Sequence, residues 1–235
     1  LNTFETNTSA RTGIETDINP SLTMDFSIGY GRDETKRDFG DQRLSSIEEG
    51  PTFAFSIVQS RPNGELKGTI FNEINSTGSR TKLGFDRSLD LPSGKLIFAL
   101  GLTIDEREEL QPIGRINYTQ DLTRGTIQAS FSHDIETDDD RRDVANTSIR
   151  FVYSHEIDTI SGVDLNMRLA ATEEYGILGT DRRRATLGLA YYRALTEDWE
   201  LRLGYEYNES RETRSEDIEG GKIYATIGRR FDFNP

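Results

Sequence analysis

The chain has no cysteine in 235 residues, only two histidines and a single tryptophan. Without cysteine there is no disulfide, no thiolate metal site and no cysteine nucleophile. Long apolar runs are missing too. Nothing approaches the roughly 18 consecutive apolar residues that a membrane-crossing helix needs. Basic charge is scarce, with 28 Lys and Arg against 41 Asp and Glu, for a net charge of −13. That balance argues against nucleic acid as a partner, because phosphate binding requires a basic face. Apolar residues are few, at 34% against 29% charged. A soluble domain this polar struggles to bury enough apolar surface, and disorder is the simplest alternative. Twelve Phe, nine Tyr and a regular spacing of apolar residues argue against disorder.

What is present is strict alternation. Leu22, Met24, Phe26, Ile28 and Tyr30 are apolar, and Thr23, Asp25, Ser27 and Gly29 lie between them. A strand sends successive side chains to opposite faces, so this segment has one apolar and one polar face. The pattern returns at Phe53–Ile57, Leu66–Ile70, Leu83–Phe85, Leu96–Ile104, Ile116–Tyr118, Ile127–Ile135, Ile149–Tyr153, Val163–Leu169, Ala185–Tyr191, Leu201–Tyr207 and Ile223–Phe233, with a weaker stretch at Ile14–Ile18. The expected fold is therefore all-β, with roughly thirteen visible strands of about ten residues, the length a tilted membrane strand needs.

The connections sort by length. Short ones carry turn residues: Asn19-Pro20-Ser21, Pro62-Asn63-Gly64, Leu91-Pro92-Ser93-Gly94, Thr123-Arg124-Gly125, Thr159-Ile160-Ser161-Gly162 and Thr196-Glu197-Asp198. Alternating with them are charged stretches at 33–50, 105–111, 136–145, 173–181 and 209–221, and the short 75–79. Short turns at one end and long loops at the other is the layout of a transmembrane antiparallel up-and-down β-barrel, with the short turns periplasmic. The first and last visible strands run the same way, which cannot close an antiparallel barrel. One more strand is expected, before Leu1 or within residues 1–10. That makes about fourteen strands, with twelve as the alternative, in a single barrel domain over residues 1–235.

In lipid every backbone polar group must be paired, and a closed barrel pairs them all. The apolar parity then faces outer-membrane lipid and lipopolysaccharide. The other parity lines the lumen: Asp25, Lys67, Glu73, Lys82, Asp86, Arg115, Arg150, Asp164, Arg168, Arg184, Glu200, Arg202, Glu206, Lys222 and Arg230. One such charge on the lipid face costs about 2–4 kcal/mol at mid-membrane, so parity decides the assignment. Aromatic residues fall at strand ends: Tyr30, Tyr205 and Tyr207 at the outer interface, Tyr191, Trp199, Phe231 and Phe233 at the periplasmic one.

The terminal stretch Ile223-Tyr-Ala-Thr-Ile-Gly-Arg-Arg-Phe-Asp-Phe233 resembles the C-terminal signal of bacterial outer-membrane barrels, an alternating last strand with a terminal aromatic. That resemblance implies the barrel-insertion machinery as a partner. It departs from the signal in carrying Asn234 and Pro235 after the aromatic, and Arg229 on the apolar parity. The segment from Leu187 to Tyr207 resembles the hairpins of the porin 2-like group of bacterial β-barrel porins.

Chemistry-bearing motifs are weak. Ser132-His133-Asp134 invites a hydrolase reading, but acyl transfer needs nucleophile, base and orienting group to converge, and strand neighbours point to opposite faces. His155 belongs near the other end of the next strand. Asp138-Asp139-Asp140 lacks the spacing of a calcium loop, and Arg141 and Arg142 follow it. Arg182-Arg183-Arg184 reads as a strand-end charge cluster. No catalytic residue, cofactor or metal is assigned, and no enzymatic activity is expected. Two functions remain open: a passive pore for small hydrophilic solutes, or a plugged barrel that anchors a partner through its loops.

Overall fold

The computed structural model describes residues 2–39, 42–75, 77–104, 109–137, 143–174, 181–213 and 215–229. These form one antiparallel sheet whose spatial order is its sequence order, with no helix among the described residues. The strands are β1 (Asn2–Asn19), β2 (Leu22–Phe39), β3 (Gln42–Arg61), β4 (Gly64–Asn75), β5 (Gly78–Leu91), β6 (Gly94–Ile104) and β7 (Leu110–Leu122). They continue as β8 (Gly125–Thr137), β9 (Asp143–Asp158), β10 (Ser161–Glu174), β11 (Arg182–Ala194), β12 (Trp199–Glu212) and β13 (Ile218–Arg229).

The short turns fall where the turn residues sit, and local chemistry holds several of them. The Ser21 amide donates to Asn19 Oδ1 at 2.9 Å, and the Ile160 amide to Asp158 Oδ1 at 2.9 Å. That amide bond, with the Ser161 hydroxyl, holds the Asp158 carboxyl below its ordinary pKa. Gly64, with φ of 120°, takes a backbone conformation that a side chain would strain.

Three expectations are corrected. The stretch 33–50 is not a loop. β2 runs on to Phe39 and β3 begins at Gln42, in unbroken register from Leu22↔Gln59 to Phe39↔Gln42. Alternating charge supports this extension: Lys36 Nζ lies 2.8 Å from Glu34 Oε1, and Arg32 bridges to Glu49 at 3.8 Å. Lys36 holds the Glu34 carboxyl below its usual pKa. Nor do residues 2–10 hold a separate strand. They pair with the upper part of β2, from Asn2↔Asp38 to Ala10↔Tyr30, because the long β2 offers them a partner along its whole length. The stretch 209–221 is likewise mostly strand, leaving a short connection between Glu212 and Ile218. With thirteen strands, β1 and β13 run in the same direction, and no ladder joins them among the described residues.

The sheet has almost no apolar interior. Among the described residues, Ile135, Val144, Ala145 and Ala190 are the buried apolar side chains. Ile223 is 87% exposed, Ile14 72% and Leu100 63%. The chain exposes 16066 Å². A compact soluble protein of its mass would expose about 10,700 Å². Both faces of one curved layer are open, and the apolar one needs a nonaqueous neighbour.

Candidate functional site

The ladders can be followed from strand to strand on one face. Asp25 lies opposite Ser56, Ser56 opposite Thr69, Thr69 opposite Gly84, and Gly84 opposite Gly101. Further round, Ala99 faces Arg115, Arg115 faces Ser132, Ser130 faces Arg150, and Arg150 faces Arg168. Arg168 then faces Thr186, Thr186 faces Asn208, and Glu206 faces Lys222. Asp25, Lys67, Glu73, Lys82, Asp86, Arg115, Arg150, Asp164, Arg168, Arg184, Glu200, Arg202, Glu206 and Lys222 therefore share this face. Arg230 lies outside the described residues, as do Phe231, Phe233 and Asp138-Asp139-Asp140.

One contact shows which way the sheet curves. Arg80 shares the polar face with Lys82 and lies opposite Glu73. Its side chain is ion-paired with Asp143 of β9 and donates from Nη1 to the Ile135 carbonyl of β8 at 3.4 Å. On a flat sheet those strands lie about 14–19 Å away, beyond an arginine's reach. The polar face is therefore concave, and Arg80 crosses it. Arg80 is 3% exposed, beside buried Thr103, Gln111 and Ile135 at the same end of the sheet. Below this crossing, Thr69, Lys82, Asp86, Arg115, Ser132 and Asp134 help line a cavity of about 510 Å³.

Ion pairs lace part of the face. Arg115 reaches Asp86 at 3.7 Å and Lys82 reaches Glu73 at 3.2 Å. Towards the short-turn end, Arg202 Nη2 meets Asp164 Oδ2 at 2.5 Å, passing over Ala190 of the strand between and burying it. Ser154 donates to the other oxygen of Asp164 at 2.8 Å, and the Tyr192 ring lies 5.8 Å from the Arg202 guanidinium. Some inward glycines are covered by neighbouring side chains, while Gly228 is open. The Tyr224 ring lies over Gly204, and the Asn166 amide over Gly188.

Arg80, Asp143 and Tyr192 escaped the sequence reading. Parity alone would have placed Arg80 beside Lys82, but its partners three and four strands on carry no sequence signal. Ser132 and His133 lie on opposite faces, as alternation requires. Ser132 Oγ is 2.8 Å from Ser148 Oγ, whereas His133 Nδ1 is 2.8 Å from Thr147 Oγ1. His155 stacks on Tyr153 at 5.9 Å near the short-turn end. The tripeptide is not a triad.

No family model matches the chain, and no curated protein matches its sequence. Solved structures similar to it include OmpT (in-vitro folded), an outer membrane protein of Vibrio cholerae. The identity is 8%, over 96% of this chain and 94% of that one, with a TM-score of 0.42. A loop L8 deletion mutant of the same protein gives 8%, 96%, 95% and 0.39. A bacterial polysaccharide outer membrane secretin gives 9% over 96% and 91%, with a TM-score of 0.37. At these identities and scores the likenesses carry no functional argument, and the established statement is the fold itself: an all-β, up-and-down antiparallel sheet of thirteen strands with a polar concave face and an exposed apolar convex one.

Proposed function

We propose that this chain is the wall of a bacterial outer-membrane β-barrel and forms a passive pore for small hydrophilic solutes. The convex face meets lipid and lipopolysaccharide, the concave face is the lumen, and the last strand is read by the insertion machinery. An antiparallel closure takes one further strand between β1 and β13, fourteen in all. The observation that carries the reading is incomplete pairing. Among the described residues Arg11, Lys67, Arg150, Arg168 and Arg184 have no ion-pair or hydrogen-bond partner on the concave face. A dry lumen cannot hold unpaired charges, since each would cost several kcal/mol. Such a lumen holds water, and a water-filled lumen conducts. A plugged, anchoring barrel would need its charges paired throughout. The Arg80 crossing narrows one mouth and favours a small conductance.

Purified protein in planar bilayers should show a small, steady conductance. Arg168→Glu should shift its ion preference towards cations, because Arg168 is unpaired. Arg202→Glu should act mainly on stability, because Arg202 already serves Asp164. If neither the wild type nor Arg168→Glu conducts, the anchoring reading replaces the pore.

Sidedness follows from the turns. A glutamate-specific protease added to intact cells should cut after Glu216, which lies outside the ladders, in preference to the paired 33–50 extension. Cleavage after Glu65, beside the Pro62-Asn63-Gly64 turn, in intact cells would reverse the topology.

A further inference from the structure

The three unpaired arginines of β9, β10 and β11 form one patch. Arg150 and Arg168 are direct cross-strand partners. Arg184 lies opposite Ala170, one inward position along β10 from Arg168. Opposed residues of an antiparallel pair have Cβ atoms about 5 Å apart, and like charges there are destabilising. Among the described residues no carboxylate pairs with them. The surrounding inward positions include the hydroxyls and amides of Ser130, Ser148, Asn166, Thr186, Asn208 and Ser210, with Val152 and Ala170 between them. Nearby acids are already engaged, Asp164 by Arg202 and Glu206 by Lys222 at 3.2 Å. The neighbouring Arg182 is paired too, with Glu212 at 2.8 Å. So a chain with net charge −13 gathers three uncompensated guanidinium groups on one patch of its concave wall.

We infer that Arg150, Arg168 and Arg184 bind a small multiply charged oxyanion of the phosphate type. A guanidinium presents a planar fork of donors that matches such oxygens two at a time. Two forks projecting from opposed positions converge on one tetrahedral anion, which screens their mutual repulsion. The Ser130 and Ser210 hydroxyls, opposite Arg150 and Arg184, donate to its remaining oxygens, whereas Thr186 already donates to Asn208 at 2.9 Å. The site deepens the pore reading, placing a station for anionic solutes in its wall.

The test is calorimetric titration of the folded protein in detergent with inorganic phosphate at neutral pH and low salt. Saturable binding is expected. Arg150→Gln/Arg168→Gln should weaken it about tenfold or more, while Arg11→Gln, elsewhere on the same face, should not change it. The double variant relieves a like-charge contact, so it folds; Arg184→Gln alone provides a second variant with a smaller loss. Absence of saturable binding by the wild type, or equal binding by the double variant, would overturn the site. Succinate binding as tightly as phosphate would overturn the choice of a phosphate-type ligand. Calorimetry reads binding whether or not the protein conducts, so failure of the pore reading in bilayers is a separate result.

Discussion

Replacing Phe55 by arginine should destabilise the protein folded in lipid by about 2–4 kcal/mol, whereas arginine at neighbouring Ser56 should cost less than about 1 kcal/mol. The two positions are adjacent on β3, midway between Pro51 and the turn at Pro62. Phe55 lies opposite Phe26 on one side and Ile70 on the other, in the apolar set. Ser56 lies opposite Thr69 and donates to Asp25 at 3.1 Å on the concave face. In a bilayer, a guanidinium at position 55 must be dragged from hydrocarbon to an interface, and at mid-depth the stem cannot reach. At position 56 the same group meets water and the Asp25 carboxylate. Urea titration of the protein refolded into phospholipid vesicles measures both. Equal costs at 55 and 56 would remove the membrane assignment of the convex face.

Arg80→Met should cost about 3 kcal/mol and enlarge the conductance. Arg80 is 3% exposed and joins strands that are not neighbours. Methionine keeps much of its length but leaves Asp143, 13% exposed, as a charge without its guanidinium, and the Ile135 carbonyl without this donor. Breaking a buried ion pair by removing one member costs about 3–5 kcal/mol, and the partial exposure of Asp143 puts this case at the lower end. Adding Asp143→Asn should recover part of the loss, since the stranded charge disappears. A double-mutant cycle reads that coupling, and the single-channel conductance reads the opening of the mouth. A change in stability within about 0.5 kcal/mol, the range of an ordinary surface substitution, would mean that Arg80 does not bridge the concave face in the folded protein.

Alternation in the sequence determined the strands, their antiparallel succession and the two faces, because a strand's side-chain period of two is local and survives any curvature of the sheet. Asp25, Arg150, Arg168 and Arg202 fall on one face for that reason alone. Turn chemistry likewise set the short connections, through the Asn19 side chain at Asn19-Pro20-Ser21 and through the positive φ of Gly64 at Pro62-Asn63-Gly64. Strand length was less legible. Charged residues beyond Tyr30 read as loop, yet they continue β2 and β3 because charges pair both along and across the strands, as Glu34 does with Lys36 and Arg32 with Glu49. Which inward charges are neutralised was decided only by the tertiary structure. Arg202 reaches past β11 to Asp164, and Arg80 crosses to β8 and β9, because curvature brings distant strands within a side chain's reach. The same curvature leaves Arg150, Arg168 and Arg184 without a carboxylate, and no period in the sequence distinguishes them from the arginines that have one.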